Sequence, residues 1–251
     1  MRDLVLDRLS SALGERPFRF FESIGSTNDV ALEWLREKPV AGAVVLADEQ
    51  TEGRGRLGRK WHTPPGQALA MSYILYPEAS FMNRTGMLGA WAVARLLEAL
   101  NVNNAGIKWP NDVYVGSRKI CGVLPQAAWE SPHLLGVVLG IGLNVRVQFD
   151  ETLVLTALNL EDILERSVDR VILLKELLGW LDEGRRQLHT DAWFADWRSR
   201  LMMLGHSVQV GDVEGVAQDV DSDGALLVRL SDGSMQRILA GDVLLTPSSD
   251  Q

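Results

Sequence analysis

The chain has 251 residues, of which 46% are hydrophobic and 23% charged, a composition typical of one large globular domain or of a large domain plus a small one. This apolar content excludes a disordered chain. The chain has a single cysteine, Cys121, which excludes a disulfide framework. No apolar run approaches the ~20 residues of a membrane span. The net charge of -8 disfavours general binding to nucleic-acid backbones.

Strand-like and helix-like patterns alternate along the first four fifths of the chain. They predict, in order, a strand over 18–24, a helix that begins at Ser26 and is stopped by Pro39, strands over 41–47 and 67–77, a buried helix over 85–100, a hairpin over 112–124, a strand over 134–145 and a helical stretch from about 170 to 204. Ser26 is expected to cap the first helix, with Asp29 completing a pattern close to a capping box.

The pattern changes after Gly205. Short alternating segments follow, and acidic glycine turns at 221–224 and 231–233 separate them. This spacing predicts a small all-β barrel. We therefore expect a domain boundary that divides residues 1–204 from residues 205–251.

Residues 53–60, GRGRLGRK, concentrate cations and glycines and contain no acid. They match the dinucleotide pattern G-x-G-x-x-G and come close to the phosphate-binding pattern G-x-x-x-x-G-K-[ST], but both patterns must open a helix. Two prolines follow closely, so both interpretations fail. The remaining prediction is a mobile loop that offers Arg54, Arg56, Arg59 and Lys60 to a phosphate, since guanidinium groups match phosphate geometry. A solvated surface loop is the alternative.

The segment KWPND, residues 108–112, combines a rigid proline with a turn-forming asparagine and an aspartate that suits an anionic or metal-facing role. A structural Pro-Asn turn between strands is the alternative. Lys119 follows on the returning strand of the hairpin, where alternation places it on one face with Cys121 and Val123. A lysine on that face indicates either an exposed strand edge or a polar pocket, and both remain open.

Gly140, Gly142 and Asn144 alternate along the next predicted strand, so they face the same side of it. Two positions without a Cβ let another group approach the backbone closely. That group is either a ligand or a neighbouring element of the protein.

Together these segments resemble the bacterial biotin–protein ligases, which are biotin–[acetyl-CoA-carboxylase] ligases. The match runs from about Ser23 to Val145 through SIGSTND, DEQTEGRGRLGRKW, KWPNDVYVGSRKICGVL and GIGLNV, in the family's order. The carboxyl-terminal segments resemble the family's small SH3-like β-barrel. The resemblance implies an α+β fold in which a mixed sheet with helices, like that of class II aminoacyl-tRNA synthetases, precedes the barrel.

The resemblance also implies a reaction in two steps. Biotin and ATP, with Mg²⁺, give biotinyl-5′-AMP and pyrophosphate, and a lysine amine of the biotin carboxyl carrier protein then attacks the mixed anhydride. The acyl-adenylate is hydrolysable, so a closing lid that excludes water until the acceptor arrives has a chemical rationale.

By resemblance, the site residues fall into overlapping groups. The expected catalytic residues are Lys119, Arg54 and Arg56. The expected biotin-binding residues are Ser26, Thr27, Asn28, Gln50, Arg54, Gly55, Arg56, Lys119 and Gly122. The expected ATP and adenylate contacts are Arg54, Arg56, Trp61, Lys108, Asn111, Asp112, Lys119 and Asn144. Asp112 is also the expected ligand of the Mg²⁺ that accompanies ATP.

Two departures from the family's pattern modify these expectations. Leu57 stands where some members carry a further arginine, which lowers the charge of the loop. Ser26 follows only 25 residues, too few for the winged helix-turn-helix domain of the regulatory members, so no binding to DNA is expected.

The expected partner is the carrier protein, and a second copy of this chain is a further candidate because members of the family often dimerise. No membrane partner is expected. The amino-terminal segment contains acids and no long apolar core, which argues against a secretory signal, so the expected location is the cytoplasm.

Four other functions compete with this interpretation. A lipoate or octanoate ligase of the same superfamily is the first, and a biotin-sensing transcriptional repressor is the second. A non-catalytic SH3-like adaptor would leave the motifs between Ser26 and Asn144 unexplained. A metal hydrolase has little support because the four histidines are dispersed without ligand spacing.

Overall fold

Two β-sheets form the framework of the chain, and the computed structural model describes it over residues 3–245. The strands of the first sheet are β1 (Phe18–Ile24), β2 (Val44–Gln50), β3 (Ala68–Leu75), β4 (Ala105–Lys108), β5 (Asp112–Val115), β6 (Arg118–Glu130) and β7 (His133–Asn144). Their spatial order is β1-β2-β3-β7-β6-β5-β4. β1 and β2 pair in parallel and all other neighbours pair antiparallel, so the sheet is mixed.

Helices cover both faces of this sheet. They are α1 (Leu6–Leu13), α2 (Thr27–Trp34), α3 (Met82–Ala99), α4 (Leu160–Leu164), α5 (Arg170–Gln187) and α6 (Asp191–Ser199). α3 and α5 pack over the main apolar cluster on one face, and α2 packs on the other face over a smaller cluster that includes Val45, Ile74 and Val138. With both faces covered, every residue of the interior strand β3 is buried.

The second sheet contains β8 (Ser207–Val210), β9 (Val213–Val220), β10 (Leu226–Arg229), β11 (Met235–Ile238) and β12 (Val243–Leu245), in the order β11-β10-β9-β8-β12. All its pairs are antiparallel. The predicted turns are present, with Gly224 and Gly233 at positive φ of 81° and 85°. The mixture of helices, a large mixed sheet and a carboxyl-terminal antiparallel sheet confirms the α+β expectation.

The predicted elements lie close to their expected positions, with two corrections. The single helical stretch expected after residue 170 is two helices, because the Thr190 side chain accepts the backbone N–H of Trp193 and starts α6. The expected cap at Ser26 is also wrong, since its side chain makes no capping bond. Gln50 Oε1 takes that place by accepting the Thr27 N–H at 2.8 Å. In the described part of the chain, no helix is long and apolar enough to cross a membrane.

A buried ion network fixes the start of α5 to the sheet. Arg170 is 0% exposed and donates to Asp3 Oδ1 at 2.6 Å, to Asp48 Oδ1 at 2.7 Å and to the Ala68 carbonyl at 2.9 Å. Burial alone would raise the pKa of Asp3, but the N–H groups and charge of Arg170 hold that pKa below its ordinary value. Because Asp48 lies on β2, the network also fixes the strand that carries Gln50.

Arg170→Ala is expected to lower the free energy of unfolding by about 3–5 kcal/mol, because it removes the guanidinium that compensates two acids in the interior. Urea denaturation at neutral pH measures the change. Arg198→Ala is the control, since Arg198 pairs with Asp219 at the surface and its loss is expected to cost at most about 1 kcal/mol. Equal losses of unfolding free energy in the two variants would contradict the conclusion that Arg170 compensates two acids in the interior.

Candidate active site

A cavity of about 410 Å³ lies where the first sheet meets the carboxyl-terminal sheet. Its wall contains every site residue predicted from the sequence except Asn111, namely Ser26, Thr27, Asn28, Gln50, Arg54, Gly55, Arg56, Trp61, Lys108, Asp112, Lys119, Gly122 and Asn144. Asn111 is buried behind this wall, where its amide donates to the Val123 carbonyl and its Oδ1 accepts from Arg56 at 3.1 Å. The geometry therefore gives Asn111 a supporting position.

One part of the wall is made of uncharged polar side chains. Gln50 Oε1 accepts the Thr27 N–H at 2.8 Å and lies 3.0 Å from the Thr27 hydroxyl. Asn28 Nδ2 donates to the Leu124 carbonyl at 3.2 Å and to Gln126 Oε1 at 2.6 Å. Thr27 and Asn28 are both buried. Such groups offer donors and acceptors without charge, so this part of the wall suits a neutral polar ring.

The glycine-arginine loop, residues 53–60, doubles back beside the cavity. The Gly55 N–H donates to the Arg59 carbonyl at 2.7 Å, and the Trp61 N–H donates to the Gly53 carbonyl at 2.8 Å. A Cβ at Gly53 would overlap the Trp61 carbonyl, which explains the glycine there. The next regular element is β3 rather than a helix, which confirms that neither phosphate-loop pattern applies.

Oxygen acceptors hold three arginines of this loop. Arg54 pairs with Asp29 at the start of α2, and Arg59 pairs with Asp242 at 2.5 Å. Arg56 lies 3.8 Å from the same Asp242 carboxylate and donates to the backbone carbonyl of Gly241 at 3.1 Å. The loop is thus tied to α2 and to the second sheet, which argues against a loop that is merely solvated.

A β-bulge at Ile120 places Lys119 on the cavity wall. The register between β5 and β6 shifts there, so Lys119 and Cys121 no longer share a face. A Cβ at Gly122 would lie 3.4 Å from Lys119 Nζ, whereas the Cys121 thiol is buried. The expectation that Lys119 faces the same way as Cys121 and Val123 is therefore wrong. Of the two alternatives, the polar pocket is the one observed.

The Lys119 ammonium group contacts an acid and an aromatic ring. Its Nζ donates to Asp112 Oδ2 at 2.6 Å and lies 5.5 Å from the centre of the Trp61 ring. Both neighbours stabilise a positive charge. The ammonium group has three donors, so a bound carboxylate or phosphate can join Asp112 as a partner of this fixed cation.

Trp61 lies against two glycines of the sheet. Gly122 and Gly142 pair in register across β6 and β7. A Cβ at Gly142 would overlap the indole Nε1, and a Cβ at Gly122 would lie 3.0 Å from Cζ3. Farther along β7, a Cβ at Gly140 would overlap the amide of Asn28. The close approach that the glycine pattern predicts is therefore made by side chains of the protein itself.

Lys108 and Tyr114 occupy a charged part of the wall near Asp112 and Asp242. Lys108 Nζ lies 5.0 Å from the centre of the Tyr114 ring. Burial lowers the pKa of Lys108, although the two acids oppose that change. Burial and the same acids raise the pKa of Tyr114 to about 12, so its phenol stays protonated at neutral pH.

The sequence interpretation missed several residues of the wall, namely Tyr114, Phe149, Leu153, Thr156, Asp242 and Leu244. Strand alternation from Asp112 could have identified Tyr114. Asp242 and Leu244 belong to the carboxyl-terminal part of the chain, and no local motif connects them to the first sheet. They enter the wall only because the two sheets pack together.

Comparisons with known protein families agree with this architecture. Residues 20–144 match the biotin/lipoate A/B protein ligase family, and residues 207–245 match the biotin protein ligase C terminal domain. A biotin–[acetyl-CoA-carboxylase] ligase of Mycobacterium tuberculosis is 30% identical over 257 residues, which are 97% of this chain and 94% of the relative. The chain therefore belongs to the biotin/lipoate A/B protein ligase family, as a member of its biotin protein ligase branch.

Further relatives and solved structures are similar over most of the chain. The bifunctional ligase/repressor BirA of Bacillus subtilis is 29% identical over 238 residues, which are 90% of this chain and 73% of the relative. A biotin protein ligase from Aquifex aeolicus in complex with biotin and ATP superposes with a TM-score of 0.77 at 26% identity. That match covers 92% of this chain and 99% of the Aquifex chain. The resemblance identified in the sequence is confirmed.

Gly142→Ala is expected to lower the free energy of unfolding by about 1–3 kcal/mol, because the added methyl group overlaps the Trp61 indole. Urea denaturation measures the loss. Gly179→Ala is the matched control, since no atom lies within 4 Å of a Cβ added at this position of α5. The control is expected to be neutral or to stabilise the chain by up to about 1 kcal/mol.

A double-mutant cycle identifies the overlap as the cause. In a Trp61→Ala background, the Gly142→Ala substitution is expected to lose most of its cost, since the indole is absent. An undiminished cost in that background would show that Trp61 is not the group that requires this glycine.

Proposed function

We propose that the chain is an ATP-dependent biotin–protein ligase, which activates biotin as biotinyl-5′-AMP and transfers it to a lysine of the biotin carboxyl carrier protein of acetyl-CoA carboxylase. One observation carries the proposal: a single cavity joins a neutral polar wall to a cluster of fixed cations. The neutral wall suits a ureido ring, and the cations suit a carboxylate and a phosphate. The Aquifex relative, which is described with biotin and ATP, supports the same substrates.

The biotin ring is proposed to lie against the uncharged wall formed by Ser26, Thr27, Asn28 and Gln50. Gly55 and Gly122 border this region and add little bulk. The biotin carboxylate then points toward Lys119, Arg54 and Arg56. These three cations carry the catalytic role, because they are placed where negative charge gathers during the reaction.

The nucleotide is proposed to occupy the charged part of the cavity. Trp61, Lys108 and Asn144 line that part, and Asp112 lies beside Lys119. Asn111 contributes by holding Arg56 at 3.1 Å rather than by direct contact. Arg56 and Lys119 therefore serve both substrates, since the carboxylate and the α-phosphate must meet between them.

The first step joins these two groups. A carboxylate oxygen of biotin attacks the α-phosphorus and forms a bond to it. The bond between the α-phosphorus and the oxygen that bridges to the β-phosphate breaks, and pyrophosphate leaves with that oxygen. Lys119 neutralises the charge that builds on the α-phosphate oxygens, and the arginines hold the phosphate for in-line attack. These donors are held by acids and carbonyls of the protein, so little reorganisation is needed.

The second step transfers the acyl group. The neutral ε-amine of the acceptor lysine attacks the acyl carbonyl, the carbon–nitrogen bond forms, and AMP leaves with the pair of electrons of the acyl–oxygen bond while the amine loses its proton. Until then the glycine-arginine loop keeps water from the mixed anhydride. Its ties to α2 and to the second sheet support this role.

Mg²⁺ is proposed to enter with ATP as part of the substrate. Among residues 3–245 no group of three or more His, Cys, Asp or Glu side chains suits a resident metal ion. Mg²⁺ bound to nucleotide phosphates needs only one or two protein carboxylates, and Asp112 is the proposed one. Its pairing with Lys119 at 2.6 Å means that the two cations would share it.

Several finer expectations belong to the same proposal. We place the division between the catalytic and carboxyl-terminal domains at 204/205, and we propose that the five-stranded sheet closes as an SH3-like barrel. The first sheet is proposed to be related to class II aminoacyl-tRNA synthetases. The proposed location is the cytoplasm, where ATP and acetyl-CoA carboxylase are available, and a homodimer is a proposed assembly.

Lys119→Ala is expected to lower the rate of biotinyl-AMP formation by about 10²–10³-fold, because it removes the fixed cation at the reacting phosphate. Biotin-dependent exchange of labelled pyrophosphate into ATP measures this step, with lipoate and octanoate as competing acids. Lys175→Ala, which changes an exposed lysine of α5, is the control and should keep the wild-type rate. A wild-type chain that activates lipoate or octanoate but not biotin would overturn the proposal.

Arg56→Ala is expected to release biotinyl-AMP about 10- to 100-fold faster, since a charged hydrogen bond to the phosphate is worth roughly 1.5–3 kcal/mol. Stopped-flow displacement of preformed adenylate measures the rate. Arg166→Ala, at an exposed arginine outside the cavity wall, is the matched control. Unchanged release from the Arg56 variant would contradict the role of the loop as a lid.

A further inference from the structure

A serine hydroxyl lies in the interior of the first sheet, in a strand whose other side chains are hydrophobic and include one further hydroxyl, that of Tyr73. Ser72 stands in the middle of β3, in the segment ALAMSYIL, and is 0% exposed. It pairs with Val45 on β2 and with Gly140 on β7. A hydroxyl in such a place is costly unless it is hydrogen-bonded, so its contacts indicate why it is there.

Those contacts are two residues of the proposed biotin wall. Ser72 Oγ lies 2.6 Å from Asn28 Oδ1 and 2.8 Å from Thr27 Oγ1. A hydroxyl has one hydrogen, and a carbonyl oxygen such as Asn28 Oδ1 can only accept. The proton of Ser72 is therefore best used on Asn28, while the single proton of the Thr27 hydroxyl can go either to Ser72 Oγ or to Gln50 Oε1.

The neighbouring strand β7 also contributes to the space that the Asn28 side chain occupies. A Cβ at Gly140 would overlap the Asn28 amide, so the serine and the glycine that pair across β3 and β7 together make room for this side chain. On its other side, Asn28 Nδ2 donates to the Leu124 carbonyl at 3.2 Å. With Ser72 bonded to Oδ1 and a carbonyl bonded to Nδ2, the amide has one satisfied orientation.

We propose that Ser72 is a positioning residue for biotin, which acts by fixing the orientation of Thr27 and Asn28 in the neutral wall. The inference rests on the proposed function, because the proposed function assigns biotin to that wall. Ser72 is buried behind these two residues, so its effect passes through them. A wall whose donors and acceptors are fixed before binding recognises a ring with a matching pattern without a cost of reorganisation.

Ser72→Ala is expected to raise the KM for biotin by roughly 5- to 100-fold, because Asn28 Oδ1 loses its donor in the interior. The KM for ATP and the kcat of adenylate formation should stay within about twofold of wild type, since neither the cations nor the nucleotide wall changes. Steady-state pyrophosphate exchange at varied biotin and varied ATP separates these constants.

Ile74→Val is the matched control. Ile74 is also 0% exposed, lies two residues along the same strand, and belongs to the cluster under α2. The substitution removes one methyl group from that face without touching the network, so it perturbs packing and should leave the KM for biotin unchanged. This control separates a loss of positioning from a loss of stability.

A second cycle tests whether Ser72 acts through Asn28. In an Asn28→Ala background, Ser72→Ala is expected to raise the KM for biotin by less than about twofold, because the group it positions is gone. A full effect in that background, an equal rise of both KM values, or a wild-type KM for biotin in Ser72→Ala would overturn the inference. A wild-type chain that forms no adenylate from biotin would overturn the proposed function instead.

Discussion

The contact between the Trp61 indole and the backbone of Gly122 and Gly142 brings the glycine-arginine loop and Lys119 to the same ring. Antiparallel pairing of β6 and β7 brings the two glycines side by side, so a large ring can approach the sheet. The backbone N–H of Trp61 donates to the Gly53 carbonyl, and this hydrogen bond fixes the base of the glycine-arginine loop. Lys119 stands 5.5 Å from the same ring. The two absent Cβ atoms thus make room for the ring that lies between the loop and Lys119.

Pairing of charges explains how a chain with a net charge of -8 can bind anions in its interior. Lys119 is paired with Asp112 and Arg59 with Asp242, while Arg54 pairs with Asp29 at the rim. The acids therefore hold the cations in place before an anion binds.

Local patterns predicted most of the first sheet, because a strand or helix is specified by residues that are adjacent in the chain. The buried helix predicted over 85–100 is α3, and the predicted strand over 134–145 is β7. Alternation failed at Ile120, since a bulge depends on the pairing of two strands and leaves no mark in one strand alone. The cap at Ser26 failed for a similar reason, because Gln50 reaches the helix from another strand.

Residues such as Asp242 and Ser72 could not be found in this way because their roles arise from contacts distant in sequence. Asp242 receives Arg59 at 2.5 Å, and Ser72 reaches Asn28 across more than forty residues of chain. The motifs identified which residues share a cavity, and packing decided which of them touch. Asn111 illustrates the difference, because it lies within a motif but supports the wall from behind.

The carboxyl-terminal segment that carries the second sheet lines the cavity of the candidate site and also contributes to the core. Its strands contribute Val208, Leu226 and Val243 to the same apolar cluster as α3, and Trp109 Nε1 donates to the Gly224 carbonyl at 2.8 Å. The glycine-arginine loop is tied to this sheet through Arg56 and Asp242. The two sheets therefore share one apolar cluster and stabilise each other. A movement of the loop away from the cavity would have to break its contacts to the second sheet as well as the Arg54–Asp29 pair, so both the second sheet and α2 add to the cost of opening.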